Sequence, residues 1–323
     1  MRSLLRPGRL VGLLVVLLTA VSPGAHAEPT SAVMARLESL AGDVRDADGY
    51  VYDLRDDSGH TMDTAEISQA PDGTYLAVYH STLADGRFHS AVATSTDLRT
   101  WTRRHDFGAG TSQPTLAADG AGGYVLAYEK DPDNHIAVRG YADLDALLAG
   151  DADHAYDAPR TLSRCAEGTP DITAVHDGTV ELTGHYQAQC DTDRQLRATL
   201  TDFTTWQAEP DQHLDRALKA WGTGGNIGDR SALELGGGEL VLIEGQRRRE
   251  DFGSWRTYAY DYSTGRAERL TVRTHGGSLA FANPSAALLA DPQGHPALLV
   301  SLFIPSEGAA PGEAGQLLYW REL

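Results

Sequence analysis

Ionisable, amide and hydroxyl side chains recur beside short apolar runs along this chain of 323 residues. Those that lie at the starts of such runs are Asp63, Glu66, Gln113, Thr115, Thr169, Asp171, Asp229, Arg230, Asn283 and Ser285. Those that lie at the ends are Tyr79, His80, Tyr128, Glu129, His185, Gln187, Glu244 and Gln246. Brought into one opening, these carboxylates, amides, imidazoles and phenols would suit a neutral, hydroxyl-rich ligand, because planar polar groups and aromatic faces bind such molecules.

The elements that must position these side chains are β-hairpins, and the clearest one covers residues 168–187. Two apolar runs, 172–175 and 180–182, are joined by His176, Asp177 and Gly178. An Asp-Gly turn between runs of β-type residues is the strongest short-range hairpin signal in a sequence. Asp171 therefore heads the first strand of a predicted hairpin.

The hairpin unit recurs at 65–80, 114–129, 230–244 and 284–300. Corresponding positions are Glu66, Thr115, Asp171, Ser231 and Ser285, separated by 49, 56, 60 and 54 residues. Periods of this size with strand-turn-strand content are typical of a β-propeller. We therefore predict an all-β fold, a five-bladed β-propeller with four-stranded antiparallel blades over residues 50–323, whose inner strands point polar residues into a central funnel.

A second motif agrees with this architecture. The sequence 95–101, STDLRTW, recurs as LTDFTTW at 200–206, with a looser relative at 141–144. We interpret each as the end of a third strand and an Asp-started turn, with the Trp packed between blades. Strands at 50–52 and 317–320 are expected to share one blade, since ring closure removes exposed edges.

Four connections depart from this pattern. Short helices are predicted at 144–148 and 211–220. The segments 247–255 and 306–315 are the longest without a pattern. Long loops on a rigid scaffold are where specificity tends to lie, so these two are the expected specificity loops.

The amino terminus predicts export. Arg2, Arg6 and Arg9 precede the apolar run 10–21, and Ala25-His26-Ala27 provides a small-x-small cleavage site. Residues 1–27 are therefore interpreted as a signal peptide of a secreted, extracellular protein, and 28–49 as a lead-in. The run is shorter than the ~18 residues that a membrane anchor needs.

The net charge of the mature chain limits the classes of molecule that are expected to bind it. Residues 28–323 carry 24 basic and 45 acidic side chains, a net charge of −21. Nucleic acids and anionic membranes both attract basic surfaces, so neither is expected as a partner of the mature chain.

Two cysteines, Cys165 and Cys190, flank the hairpin at 168–187. The start of the first strand and the end of the second lie on the same side of an antiparallel pair. An even cysteine count in an exported chain favours a disulfide, which is therefore predicted here. The alternative is a pair of free thiols.

These features together resemble the five-bladed propeller glycosidases related to glycoside hydrolase family 43, with families 32 and 68 more distant. The resemblance rests on five hairpins begun by a short polar or Pro-Asp motif and on the S-x-D-L-x-x-W motif, over about residues 50–323. It implies a secreted protein that cleaves or recognises a poly- or oligosaccharide, with arabinan, xylan or fructan linkages the usual substrates. Glycosidases of this kind need one carboxyl protonated while another is ionised.

The resemblance also implies residue roles. The candidate catalytic carboxylates are Asp63, Glu66, Asp171, Asp229 and Glu244. The candidate substrate-binding residues, which follow from their positions at the funnel mouth and not from the resemblance, are Gln113, His80, Glu129, His185, Arg230 and Asn283. Two departures stand out: Asp63 is followed by Thr64, and the Pro-Asp motif that relatives carry in blade two is Pro114-Thr115 here, with Pro170-Asp171 in blade three instead.

Other interpretations stay open. A non-catalytic propeller that binds glycans or cell-wall polymer would use the same funnel, and a scaffold for protein partners would instead show an apolar rim. Asp171 could cap its hairpin, and Asp229 with Arg230 could form a surface ion pair. No metal or cofactor motif is present, so no cofactor is expected; a structural calcium near the axis, beside His80 and His185, is suggested only by some relatives.

Overall fold

The computed structural model describes residues 31–323. The predicted signal peptide, residues 1–27, lies outside the described residues. Within the described part, no helix is both long and apolar enough to cross a lipid bilayer.

Within residues 31–323, twenty strands form five antiparallel sheets of four strands each. Blade one contains β2 (Asp63–Gln69), β3 (Tyr75–Thr82), β4 (Phe88–Ser95) and β5 (Thr102–Ala109). Blade two contains β6 (Thr111–Ala118), β7 (Tyr124–Lys130), β8 (His135–Tyr141) and β9 (His154–Asp157). Blade three contains β10 (Glu167–His176), β11 (Thr179–Ala188), β12 (Thr192–Thr201) and β13 (Thr205–Pro210).

Blade four contains β14 (Ile227–Leu235), β15 (Gly238–Gln246), β16 (Trp255–Asp261) and β17 (Arg266–Arg269). Blade five contains β18 (Ala282–Ala290), β19 (Pro296–Ile304) and β20 (Gly315–Glu322), completed by β1 (Gly49–Val51). The five-bladed, four-stranded architecture predicted from the repeats is therefore confirmed.

The ring closes with strands from both ends of the described chain, as predicted. β1 pairs with β20 in the register Tyr50 opposite Tyr319. Gly49 lies against the Trp320 ring, where an added Cβ would meet ring atoms at 2.0 Å. The close approach of β1 to β20 therefore requires glycine at its first residue.

In the part of the chain that the structure describes, three α-helices flank the ring: α1 (Ala32–Ala41), α2 (Leu144–Ala149) and α3 (Gln212–Ala220). The Ser31 side chain caps α1. The buried face of this helix, which includes Leu37, packs into an apolar cluster between blades four and five. The Tyr319 hydroxyl donates a 2.6 Å hydrogen bond to the Ala41 carbonyl. The helices predicted at 144–148 and 211–220 are both present.

Apolar clusters join blade five to one, one to two, two to three and four to five. Trp101 is 2% exposed and lies in the cluster between blades five and one, as the turn motif predicted. In that motif Asp97 Oδ1 accepts hydrogen bonds from the amides of Arg99 and Thr100. The carboxylate thus shapes the turn.

Each inner strand carries a register shift near its start, at the same place in every blade. The residues there adopt positive φ in four blades: Thr64, Gln113, Thr169 and Asn283. Such a bulge redirects the side chains beside it. This bulge is therefore the local feature that directs polar side chains towards the axis.

Side chains just beyond the bulge link each of blades one to four to the blade that follows it. The oxygens of Glu66, Thr115, Asp171 and Ser231 accept backbone N–H bonds of 3.2, 3.2, 3.3 and 3.3 Å from Leu116, Ile172, Ala232 and Ala286. These acceptors are the positions that define the sequence repeat. The repeated polar residue is therefore an inter-blade connector.

Candidate functional site

A cavity of about 400 Å³ lies on the axis where the first strands start and the second strands end. Its polar wall includes His80, Gln113, Glu129, Asn134, Thr169, His185, Gln187, Asp193, Glu244 and Asn283. Its aromatic wall is Phe88, Phe252, Trp255 and Phe303. Three carboxyl groups, from Glu129, Asp193 and Glu244, thus face one cavity.

The residues that end the second strands form a further set of links. His80 Nδ1 accepts the amide N–H of Gln113 at 3.2 Å. Glu129 Oε2 accepts the amide of Thr169 at 3.2 Å. Glu244 Oε2 accepts the amide of Asn283 at 2.7 Å. Each of these side chains holds the bulge of the following blade.

Blade three breaks this pattern. The amide that His185 would hold belongs to Asp229, and it donates instead to Glu244 Oε1 at 3.1 Å. Within residues 31–323, His185 Nδ1 is buried and has no hydrogen-bond partner. His185 Nε2 lies 3.8 Å from Asp193 Oδ1. His185 Nδ1 therefore does not hold the bulge of the next blade, and the imidazole faces the cavity beside the Asp193 carboxylate.

Burial sets the protonation of this pair. It lowers the pKa of His185, although the Asp193 carboxylate opposes the shift. It raises the pKa of Asp193, with His185 opposing. A neutral imidazole therefore lies next to a carboxyl that has lost part of its hydration.

Glu244 is a buried carboxyl whose two oxygens both accept backbone N–H groups, from Asp229 and Asn283. Burial raises its pKa to about 8, and repulsion from Asp229 adds to the shift. Asp229 has a pKa of about 7 for the same main reason, with Arg230 opposing. At neutral pH Glu244 is accordingly a carboxyl that holds its proton.

Glu66, Asp171 and Arg230 lie next to this group near the axis. Arg230 Nη2 donates to the Thr169 carbonyl at 2.8 Å, and burial lowers the pKa of its guanidinium. Burial raises the pKa of Glu66, and repulsion from Asp171 raises it further. Burial also raises the pKa of Asp171, which Arg230 opposes.

The predicted site residues therefore fall into two groups. The cavity wall contains His80, Gln113, Glu129, His185, Glu244 and Asn283. Asp63, Glu66, Asp171, Asp229 and Arg230 are not part of it. Asn283 Nδ2 connects the groups, since it lies 3.2 Å from Gln113 Oε1 and 3.3 Å from Asp229 Oδ2.

Asp63 lies apart from the other carboxylates. It accepts a 3.0 Å hydrogen bond from the Thr61 hydroxyl, and burial raises its pKa to about 6. The catalytic roles proposed for Asp63, Glu66 and Asp171 stay predictions. For Glu66 and Asp171 the observed contacts are inter-blade links.

Several cavity residues were not identified from the sequence. Asp193 lies near the start of β12, the third strand of its blade, whereas the predicted site residues lie on the first two strands of each blade. Phe252 and Trp255 come from segment 247–255, and Pro305 directly precedes segment 306–315. The sequence feature that pointed to Phe252 and Trp255 was the length of segment 247–255, which was predicted as a specificity loop.

The predicted disulfide is present at the cavity mouth. Cys165 and Cys190 are bonded, with their Cα atoms 5.4 Å apart. Ala166 and Gln187, which line the cavity, lie one and three residues from the two cysteines. The bridge therefore ties together the open end of the blade-three hairpin.

The axial histidines do not fit a calcium ion. Calcium takes six to eight oxygen ligands, whereas His80 and His185 offer nitrogen. The Gln113 amide donates to His80 Nδ1, and the Thr64 hydroxyl lies 3.1 Å from the same atom.

A second, larger cleft of about 870 Å³ lies between blades three and four. Leu182, Arg197 and Glu209 on one side and Leu233 and Tyr262 on the other contribute to its walls. None of the predicted site residues lines it. The chemistry-bearing residues are instead concentrated at the axis.

No protein-family model matches the sequence, and no curated protein matches it. Solved structures do match. An exo-1,5-α-L-arabinanase from a bovine ruminal metagenomic library is 15% identical, with a TM-score of 0.54 over 83% of this chain and 95% of that one. This chain has the fold of propeller glycoside hydrolases.

Two further structures agree. The family 93 α-L-arabinofuranosidase of Fusarium graminearum, in complex with arabinobiose, is 11% identical, with a TM-score of 0.54 over 86% of this chain and 98% of that one. A structure described as a putative exo-β-1,3-galactanase from Bifidobacterium bifidum is 15% identical, with a TM-score of 0.51 over 83% and 90%. At these identities the likeness concerns the fold.

Proposed function

We propose that this protein is a glycoside hydrolase that binds a poly- or oligosaccharide in the axial cavity and cleaves a glycosidic bond with carboxyl groups of its wall. The observation that carries the proposal is the presence of Glu129, Asp193 and Glu244 on one cavity wall. The structurally similar arabinanase and arabinofuranosidase support a carbohydrate, with an arabinan-type linkage the first to test.

Glycosidases divide the work between a protonated and an ionised carboxyl. Glu244 is assigned as the proton donor, since its pKa is about 8. Asp193 is assigned as base or nucleophile, because its carboxylate faces the cavity beside a neutral imidazole, while its backbone amide, not its carboxylate, donates to Asn226 Oδ1 at 3.2 Å. His185 would orient Asp193.

The aromatic side chains support a sugar ligand. Phe88 and Phe252 are 45% and 55% exposed, and both lie on the cavity wall. Aromatic faces pack against the apolar faces of sugar rings, and the surrounding amides and carboxyls can bind hydroxyl groups.

A second candidate is carbohydrate binding without hydrolysis. It is favoured by one observation: both oxygens of Glu129 and of Glu244 already hold hydrogen-bond donors of the scaffold. In that case the cavity would recognise a glycan or cell-wall polymer while its carboxyls only support the blades.

The test is a screen of the protein against aryl glycosides, arabinan and other wall polysaccharides, together with Glu244→Gln and Asp193→Asn. Loss of a catalytic acid or base removes about 10²- to 10⁴-fold in rate, so each variant should lose at least 100-fold in kcat. Glu209→Gln is the matched control, because Glu209 is exposed and pairs with Arg197 outside the axial cavity.

The pH profile tests the assignment of the donor. A proton donor with a pKa of about 8 is active only while protonated, so kcat/KM should fall as pH rises through that value. Full activity in both cavity variants would refute the assignment. Saccharide binding without turnover in the wild type would select the second candidate.

We also propose that the protein is exported. The support is the basic, apolar and small-residue pattern of residues 1–27 and the disulfide between Cys165 and Cys190, a bond that persists in oxidising compartments. Recovery of a chain beginning at Glu28 from culture medium is the expected result, and an uncleaved intracellular chain would contradict it.

A further inference from the structure

A cluster of potential metal ligands lies at the turn between β18 and β19, at the end of blade five away from the cavity. His295 Nδ1 is 2.8 Å from Glu322 Oε1 and 3.8 Å from Asp291 Oδ2. Ligand atoms of these three residues all lie within 4.8 Å of one another. One nitrogen and two carboxylate oxygens thus converge from the turn and from the last strand.

Asp291 carries an oxygen that the fold does not use. Its Oδ1 accepts the amides of Gln293 and His295, at 2.9 and 2.8 Å, and so shapes the turn. Its side chain is only 1% exposed. Within residues 31–323, Oδ2 is buried without a hydrogen-bond partner and lies towards His295.

The corresponding turn of blade two shows that one carboxylate oxygen is enough to accept the backbone N–H groups that shape such a turn. There Asp119 Oδ1 alone accepts the amides of Ala121 and Gly123, at 2.7 and 2.9 Å. The second oxygen of Asp291 is therefore not needed to form this kind of turn. A buried acceptor without a donor is costly, so a positive partner at Oδ2 would stabilise it: either a bound cation or the protonated ring of His295, 3.8 Å away.

We propose that Asp291, His295 and Glu322 bind a divalent ion of the zinc class. Zinc takes His nitrogen and carboxylate oxygen at about 2.0 to 2.2 Å in a tetrahedron, which places ligand atoms about 3.3 Å apart. The separation of 3.8 Å between His295 Nδ1 and Asp291 Oδ2 is near that value, whereas Nδ1 and Glu322 Oε1, hydrogen-bonded at 2.8 Å, would move apart to admit the ion. Calcium and magnesium prefer all-oxygen sites of higher coordination number.

The position gives the ion a structural role. Glu322 is in β20, and its amide donates at 2.7 Å to Asp48 Oδ2, immediately before β1. Bound metal would tie the β18–β19 turn to the strand that closes the ring with β1. Zinc binding should therefore raise the melting temperature of the whole propeller.

The experiment is a titration of the untagged, full-length wild type with zinc chloride, followed by calorimetry and by thermal unfolding. We expect one zinc per chain and a melting temperature several degrees higher, with neither effect from calcium or magnesium chloride. Asp291→Asn keeps Oδ1 for the turn but replaces the free oxygen. It should weaken zinc binding at least tenfold while folding normally.

Two further variants complete the test. Glu322→Gln should weaken binding in the same way. His89→Ala should leave it unchanged, since His89 contacts Asp85 and Asp106 in a separate surface cluster. The proposal is overturned if the wild type shows no stoichiometric zinc binding, if Asp291→Asn binds zinc as tightly, or if calcium or magnesium binds equally well.

Discussion

The protonation of Glu244 predicts that the folded protein is less stable at high pH. Burial raises the pKa of this carboxyl from 4.5 to about 8. Between these values the folded state holds a proton that the unfolded state has released, so the free energy of unfolding falls as pH rises. Over the interval from about pH 5.5 to about pH 8.5, this one group contributes a loss of about 3 kcal/mol.

The assay is urea denaturation at those two pH values for the wild type and for Glu244→Gln. The amide cannot ionise, so the variant should show a pH-dependent loss that is smaller by about 3 kcal/mol. Its NH2 group will also face one of the two backbone N–H groups that Glu244 now accepts, at a cost of about 1 to 3 kcal/mol at both pH values. The slope with pH is therefore the informative quantity.

Glu209→Gln serves as the control, because the Glu209 side chain is 64% exposed. It should retain the wild-type difference between the two pH values. A wild-type stability that is flat or rises with pH would refute the reasoning. An unchanged slope in Glu244→Gln would show that another group dominates.

Two further predictions concern the cavity mouth. Removing the disulfide in Cys165→Ala/Cys190→Ala opens a loop defined by a sequence separation of 25 residues; in the loop-entropy model this lowers the free energy of unfolding by about 3 kcal/mol, and an unchanged urea midpoint would contradict it. Gly168→Ala would place a Cβ 2.0 Å from Glu129 Oε2. It should displace that carboxyl from the cavity and weaken saccharide binding in calorimetry, at a stability cost of about 1 to 3 kcal/mol; wild-type affinity would show that Glu129 does not contact the ligand.

The architecture could be predicted because its signals are local and repeated. Each hairpin contains its own turn and its own apolar runs, and the positions from Glu66 to Ser285 recur once per blade. The disulfide followed from the same reasoning, since Cys165 and Cys190 flank one antiparallel pair. Closure of the ring followed from strands that lacked neighbours in sequence.

The same repetition gives Glu66 and Asp171 a structural role as well, and their catalytic roles stay predictions. Glu66 and Asp171 were selected because they occupy the recurring polar position. In the structure that position accepts a backbone N–H from the next blade, and Thr115 and Ser231 do the same. A polar position that makes the same inter-blade hydrogen bond in four of the five blades is evidence of architecture.

The sequence by itself determined the blades, their number and the disulfide, because these depend on contacts between neighbouring segments. Only the tertiary structure brought Asp193, Trp255 and Glu244 to one cavity, since they come from different strands and blades. Only the structure showed that His185 departs from the pattern of its counterparts, because Glu244 takes the amide that His185 would otherwise hold. The unpaired state of His185 Nδ1 follows from that long-range competition for one hydrogen bond, which no local pattern of residues records.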